Sequence, residues 1–147
     1  MGLLRRVLVT SAGGAPAIGL TRSLKMAPEP FYLLGIDADK YNLQRAETDE
    51  KFLVPRTDDQ DYIPVLQSIV EETHPDLLCV QLSAEMLTIS GARESLDVRT
   101  LLPRHQTIEV CENKYASQCV WERAGLPTPR TMMISKPEDL VVAYKEF

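Results

Sequence analysis

Short apolar runs alternate with longer amphipathic segments along most of the chain. The runs are rich in valine, leucine and isoleucine, and glycine, proline or aspartate residues flank most of them. Apolar runs of this length are typical of strands that are buried on both faces of a parallel sheet. We predict such strands at residues 6–10, 31–36, 51–54 and 77–82, with a short fifth strand at residues 100–102.

The segments between these runs repeat apolar residues at intervals of three or four, which is the spacing of a helix with one buried face. Between residues 62 and 73 the apolar positions are Ile63, Leu66, Ile69 and Val70. Aspartates at positions 58, 59 and 61 offer an N-terminal cap for this helix. We predict further helices at residues 17–26, 83–96 and 114–123, and the start of another at Pro137.

This alternation of strands and helices predicts an α/β fold: a doubly wound, Rossmann-like parallel sheet of about five strands with helices on both faces. Ligands of such sheets bind at the carboxyl ends of the strands. That edge would carry residues 11–14 after the first strand, Asp37 after the second and residues 83–85 after the fourth. The sequence therefore predicts a ligand site at this edge.

Composition and charge narrow the class of protein. A chain of 147 residues with 44% hydrophobic content suits one ordinary domain, and a net charge of −5 with scattered Lys and Arg argues against nucleic-acid binding. The apolar run after Arg5 and Arg6 is too short for a signal peptide or membrane span, so we expect a cytoplasmic protein. Cys79, Cys111 and Cys119 form no C-x-x-C pair, so we expect reduced structural thiols and neither disulfide nor zinc site.

The glycine-rich run T-S-A-G-G-A-P-A-I-G at residues 10–19 joins the first strand to the first helix. Ser11, Gly13 and Gly14 are candidate substrate-binding residues, because glycines let the backbone approach an anion beside a helix amino terminus. The spacing differs from G-x-G-x-x-G, and no Walker lysine follows. The alternative is that Gly13 and Gly14 turn the chain at φ values that other residues avoid.

Two acidic residues are further candidates for the same site. Asp37 lies roughly where dinucleotide folds place a ribose-binding acid, but it would equally end a strand and organise a turn. Glu85 follows the fourth strand and would face the crevice, although an acid in the first turn of a helix is an ordinary structural feature.

The most specific segment is E-N-K-Y-A-S-Q-C-V-W-E-R-A-G-L-P-T-P-R-T at residues 112–131. Asn113 and Lys114 open a predicted helix of about ten residues, with Asn113 as its cap, and Gly125 follows its end before Pro127 and Pro129. This segment resembles the joint in ATP-grasp enzymes at which the amino-terminal domain gives way to the ATP-binding lobes. Upstream, V-L-V-T-S-A-G-G, G-I-D-A-D, F-L-V-P and S-A-E-M-L look similar to proteins like the carbamoyl-phosphate synthase large subunit.

The resemblance implies a pre-ATP-grasp Rossmann-like domain at residues 1–112, followed by the joint and the start of the small ATP-grasp lobe at residues 113–147. It implies that Lys114 contacts ATP phosphates, and that the glycine-rich loop and Glu85 face the acceptor substrate. The parent would be a ligase that uses ATP and Mg²⁺ to join a small carboxylate, or bicarbonate, to an amine or ammonia. A second lysine and the magnesium carboxylates belong to the downstream lobes, so we expect this piece alone to be inactive.

Two other interpretations of the sequence are alternatives to the ligase. An NAD-binding oxidoreductase domain would share the alternating fold and Asp37, although the glycine spacing counts against it. A free-standing nucleotide-sensing or interaction module would use apolar residues of the tail, such as Leu140 and Phe147, to dock on a partner or on a second copy as a homodimer.

Overall fold

The computed structural model describes residues 4–147, which divide into two compact units, one ending at Ile108 and the other formed by Glu109–Phe147. The first unit contains a parallel sheet of four strands in the order β3-β2-β1-β4. The strands are β1 (Arg5–Val9), β2 (Phe31–Asp37), β3 (Glu50–Leu53) and β4 (Leu77–Cys79). The helices are α1 (Ala15–Lys25), α2 (Lys40–Arg45), α3 (Tyr62–Thr73), α4 (Ser83–Gly91), α5 (His105–Glu112), α6 (Lys114–Arg123) and α7 (Pro137–Glu146).

Alternate residues of the strands pack on opposite faces of the sheet, as a two-residue side-chain period requires. Leu8 and Leu34 belong to the larger core, which also contains Leu66 of α3 and Ile89 of α4. Val7, Val9 and Leu33 pack on the other face with Ala17 of α1. Because helices cover both faces, the α/β, Rossmann-like fold predicted from the alternation is confirmed.

The prediction of a fifth strand is wrong. Within residues 4–147, the segment around Thr100 contributes one parallel bridge to Leu78, supported by the Leu78 N–H donating to the Arg99 carbonyl at 2.8 Å. Leu101 is 79% exposed and Pro103 has no N–H to donate, so the segment gains neither the burial nor the hydrogen bonds of a longer strand.

The fourth strand and the helix after it are both shorter than predicted. β4 ends at Cys79, and the N–H of Gln81 donates to the hydroxyl of Thr10 at 3.0 Å instead of continuing a ladder. α4 ends at Gly91, and a short 3-10 helix at Arg93–Ser95 replaces its predicted last turn.

Local capping explains two other differences. The polar stretch after β2 contains the six-residue helix α2, which the sequence pattern missed; Asp39 caps it by accepting from the N–H groups of Tyr41 at 2.8 Å and Asn42 at 2.9 Å. The bounds predicted for α3 agree with the structure, but the predicted aspartate cap is wrong for Asp61, whose side chain makes no capping bond. Instead its N–H donates to Asp59 at 2.9 Å.

In the second unit, α6 begins and ends where its flanking residues predict. The side chain of Asn113 accepts from the N–H of Ala116 at 3.0 Å. Gly125, at φ 72°, donates to the carbonyl of Glu122, and Leu126 donates to that of Trp121, which together form a Schellman C-cap. No helix among residues 4–147 is long and apolar enough to span a membrane.

Candidate functional site

The carboxyl ends of β1 and β4 meet where the direction of strand succession reverses, and we refer to this edge of the sheet as the crevice. The chain passes from β1 through β2 to β3 on one side of the sheet and then crosses to β4 on the other side of β1. This topological switch point is the usual ligand position in open parallel sheets. Thr10 and Ser11 leave β1 at this point, and α4 begins there with Ser83.

Glu85, in the first turn of α4, carries a carboxylate that is buried at this crevice. The residue is 4% exposed, and its Oε2 accepts a hydrogen bond from the hydroxyl of Thr10 at 2.5 Å. The hydroxyl of Tyr62, at the start of α3, donates to its Oε1 at 3.4 Å. Three elements, β1, α3 and α4, thus converge on one carboxyl group.

Burial and hydrogen bonding act on this carboxyl group in opposite directions. Burial raises the pKa of Glu85, and the negative charge of Asp37 adds to the rise. Hydrogen bonds from Thr10, Ser11 and Tyr62 stabilise the ionised form and lower the pKa, but burial is the largest cause, so the pKa lies above its usual value. Burial also raises the pKa of Tyr62, which therefore serves as a protonated donor.

Asp37, the last residue of β2, organises the chain around the crevice. It is 6% exposed, and its Oδ2 accepts from the N–H of Gly13 at 3.1 Å, while Oδ1 accepts from the N–H of Asp39 at 2.9 Å. Its carbonyl accepts from the N–H of Val54 at 3.1 Å. These bonds correspond to the turn-organising interpretation of Asp37 and leave its carboxylate occupied by the backbone.

The glycine-rich loop is shaped by close backbone approach and not by unusual glycine dihedrals. Ser11 is the loop residue at positive φ, 45°, whereas Gly14 has φ −74° as the N-cap of α1. The alternative that Gly13 and Gly14 turn the chain at φ values that other residues avoid is therefore wrong. A Cβ on Gly13 would lie 1.8 Å from the carbonyl oxygen of Asn42, so glycine is needed there to let the loop contact α2.

Five of the predicted site residues thus lie at one edge of the sheet: Ser11, Gly13, Gly14, Asp37 and Glu85. Ser11 and Gly14 are partly exposed, whereas the other three are buried. The sequence pattern missed Thr10 and Tyr62, which hold Glu85. Thr10 ends the first predicted strand and Tyr62 starts a predicted helix. The sequence pattern therefore assigned both residues to elements, but no spacing linked them to Glu85.

Lys114, the sixth candidate, lies in the second unit as the first residue of α6. Its side chain is exposed, and among residues 4–147 it has no hydrogen-bond or acidic partner. A cation at a helix amino terminus is disfavoured by the helix dipole, so nothing in its surroundings explains it as a stabilising residue.

The candidate metal ligands and the three cysteines form no organised site among the residues that the structure describes. No group of three or more His, Cys, Asp or Glu side chains there is placed to hold a metal ion. Cys79, Cys111 and Cys119 are free thiols, and burial raises the pKa of Cys79, which makes its thiolate less available.

No protein-family model matches the sequence, and no curated protein sequence matches it significantly. Solved structures nevertheless share its fold. N5-carboxyaminoimidazole synthetase from Staphylococcus aureus, complexed with ADP, matches with a TM-score of 0.71 at 12% identity, over 96% of this chain and 35% of that one. The biotin carboxylase domain of Hydrogenobacter thermophilus 2-oxoglutarate carboxylase, with MgADP, ADP and bicarbonate, matches with a TM-score of 0.67 at 18% identity, over 99% of this chain and 33% of that one.

Glycinamide-RNase-transformylase T from Mycobacterium tuberculosis matches with a TM-score of 0.65 at 15% identity, over 95% of this chain and 38% of that one. At such identities the similarity shows the fold alone. The chain spans only about a third of the length of these proteins.

Proposed function

We propose that this chain is the amino-terminal part of an ATP-grasp ligase. The segment from Lys114 to Pro129 supports the proposal, because it resembles the joint that precedes the ATP-binding lobes in that superfamily. The fold similarity supports it independently, because the structural neighbours are ATP-grasp enzymes and two of them were solved with ADP. The NAD-binding oxidoreductase reading has no comparable support.

The proposed reaction is that of ligases similar to the carbamoyl-phosphate synthase large subunit. In such enzymes ATP with Mg²⁺ activates a carboxylate or bicarbonate as an acyl phosphate, which an amine or ammonia then captures to form an amide-type bond. Phosphoryl transfer of this kind depends on positioning and on stabilisation of negative charge, and two units of this chain contribute different parts of that task.

In this proposal, the acceptor substrate binds at the crevice at the switch point. Ser11 and Gly14 are the partly exposed residues of the loop, so they are the ones that an acceptor substrate would reach. Asp37 fixes the loop through the N–H of Gly13, and Glu85 fixes Thr10 and Ser11 from the opposite side. A loop held on both sides keeps its shape when substrate binds, and a preorganised site of this kind favours catalysis.

The described residues fit the nucleotide only in part. Lys114 is an exposed ammonium without an acidic partner, so it fits a contact with ATP phosphates. For Mg²⁺ the described residues provide no complete site, because no group of three or more His, Cys, Asp or Glu side chains among them is placed to hold a metal ion. We therefore assign the metal to the downstream lobes and expect the 147-residue chain alone to be inactive.

The proposal is tested with the product of the complete reading frame that contains these residues. We expect ADP release that requires both ammonia or an amine and a carboxylate or bicarbonate. Lys114→Met should lower kcat/KM for ATP by about tenfold or more, as loss of one charged phosphate contact would, while the matched change Lys145→Met should have little effect. Absence of ADP release with every pair, or equal losses in both lysine variants, would contradict the assignment.

A nucleotide-sensing or interaction module is the second candidate, and one observation favours it. Leu140, Val141, Tyr144 and Phe147 leave an apolar face of α7 at least 58% exposed at each position. Light scattering after size exclusion separates the two ideas, since an interaction module should associate through this face. A dimer that is lost in Leu140→Glu, together with no ATP turnover by the complete protein, would favour the module.

A further inference from the structure

A second concave surface lies at the opposite edge of the sheet from the crevice. An open cavity of about 1110 Å³ is lined by the first residues of three strands, Arg5, Phe31 and Leu77, and by the segment that follows the 3-10 helix, residues 96–101. Because all four strands are parallel, their amino ends cannot meet the carboxyl-end crevice, so the two sites are separate.

The walls of this cavity carry more positive than negative charge. Arg5, Arg93 and Arg99 line it together with Asp76 and Asp97, which gives three cations against two anions. None of these three arginines forms an ion pair within the described part of the chain. Asp76 is already engaged, since its Oδ2 accepts from the backbone N–H of Arg6 at 2.7 Å.

Arg93 provides an independent sign that an acceptor is needed at this surface. Its Nη2 donates to the carbonyl of Leu102 at 3.0 Å and also to the carbonyl of Pro103. Its Nε is buried and has no partner. A buried donor of a charged group that lacks an acceptor is unfavourable, so the protein satisfies this guanidinium group incompletely.

The apolar residues that line the cavity indicate which other groups a ligand would carry besides its oxyanions. Val7, Phe31 and Leu77 contribute apolar side chains to the lining. We propose that this cavity binds a small molecule with two or more phosphate or carboxylate groups on a compact apolar body. Arginine suits this task because its planar fork pairs with both kinds of oxyanion. The proposal does not depend on the ligase function.

The proposal is tested by isothermal titration of the 147-residue chain with pyrophosphate and with citrate at constant ionic strength. Pyrophosphate represents the phosphate class and citrate the carboxylate class, so the stronger binder identifies the source. We expect Arg99→Gln and Arg5→Gln each to weaken binding by about tenfold or more, because each removes a charged contact. Both side chains are exposed, so neither change removes a core contact.

Arg45→Gln is the matched control, since Arg45 is an exposed arginine on α2 outside the cavity. It should leave both titrations unchanged. Amide NMR shifts should cluster at Arg5, Leu77 and residues 96–101. The proposal is overturned if neither anion binds, if Arg45→Gln weakens binding as much as Arg99→Gln, or if the shifts cluster at the carboxyl-end crevice.

Discussion

The hydroxyl of Thr10 is the connection between β1 and the buried carboxyl group of Glu85, and replacing it tests the geometry of the crevice. Thr10→Val keeps the shape of the side chain and removes two hydrogen bonds, the donation to Glu85 at 2.5 Å and the acceptance from the N–H of Gln81 at 3.0 Å. Thr10 is fully buried, so water cannot replace either partner. Loss of the bond from the N–H of Gln81 is unfavourable by about 1–3 kcal/mol, and loss of one of the hydrogen bonds to the Glu85 carboxyl group by about 1–2 kcal/mol, so we expect a total loss of about 2–5 kcal/mol.

Thr10→Ser is the control, because it keeps the hydroxyl and removes one buried methyl group. It should lower the free energy of unfolding by about 1 kcal/mol. Urea unfolding, followed through the amide NMR signals of β1 and β2, reports on the first unit for both variants.

The pH dependence gives a second, independent signature. Burial raises the pKa of Glu85 above the unfolded value of about 4.3, so the native state retains a proton that the unfolded state has lost. Stability from this group is therefore present at low pH and falls as pH rises through the native pKa. Thr10→Val removes a hydrogen bond that lowers this pKa, so its loss of stability should be greater at high pH, where Glu85 is ionised, than at low pH, where it is protonated. Equal losses in the valine and serine variants at every pH would refute the reasoning.

Three further variants test the glycine-rich loop, the buried Glu85 carboxyl group and the C-cap of α6. Gly13→Ala should lower the free energy of unfolding by about 3 kcal/mol because its Cβ would meet the Asn42 carbonyl at 1.8 Å; Gly14→Ala, whose nearest atom would be at 3.1 Å, should lose much less in the same urea titration. Glu85→Gln should flatten the pH profile and gain stability relative to wild type as pH rises; an unchanged slope would show that another group titrates. Gly125→Ala, at φ 72°, should destabilise the second unit by about 1 kcal/mol, read from the fluorescence of the single tryptophan; no loss would argue against the left-handed cap.

Features governed by short-range sequence pattern were predictable. The four observed strands are each marked by an apolar run. α3 ends as predicted before Pro75, and α6 starts and ends as predicted because Asn113 caps it and Gly125 follows it. α2 escaped prediction because it depends on one Asp39 cap and buries no residue. The fifth strand failed because its single bridge depends on tertiary context and not on the local apolar run.

The candidate site was also predictable in part, where short-range pattern governs it, and unpredictable where distant residues meet. Its position followed from the rule that ligands bind at the carboxyl ends of parallel strands, which placed Ser11 and Glu85 at one edge. The partners of Glu85 were not predictable, since Thr10 lies 75 positions before it and no local spacing connects them. The role of Gly13 was likewise hidden, because its constraint comes from the backbone of α2, an element that the pattern missed.

The most direct test of the ligase proposal follows an oxygen atom through the reaction. The product of the complete reading frame would be supplied with ATP, ammonia and a substrate carboxylate or bicarbonate labelled with ¹⁸O. If an acyl phosphate forms, the carboxylate oxygen becomes bonded to phosphorus, and attack by the amine breaks the carbon–oxygen bond. We expect one ¹⁸O atom in each inorganic phosphate released. Turnover that leaves the phosphate unlabelled, or that places the label in AMP, would contradict it.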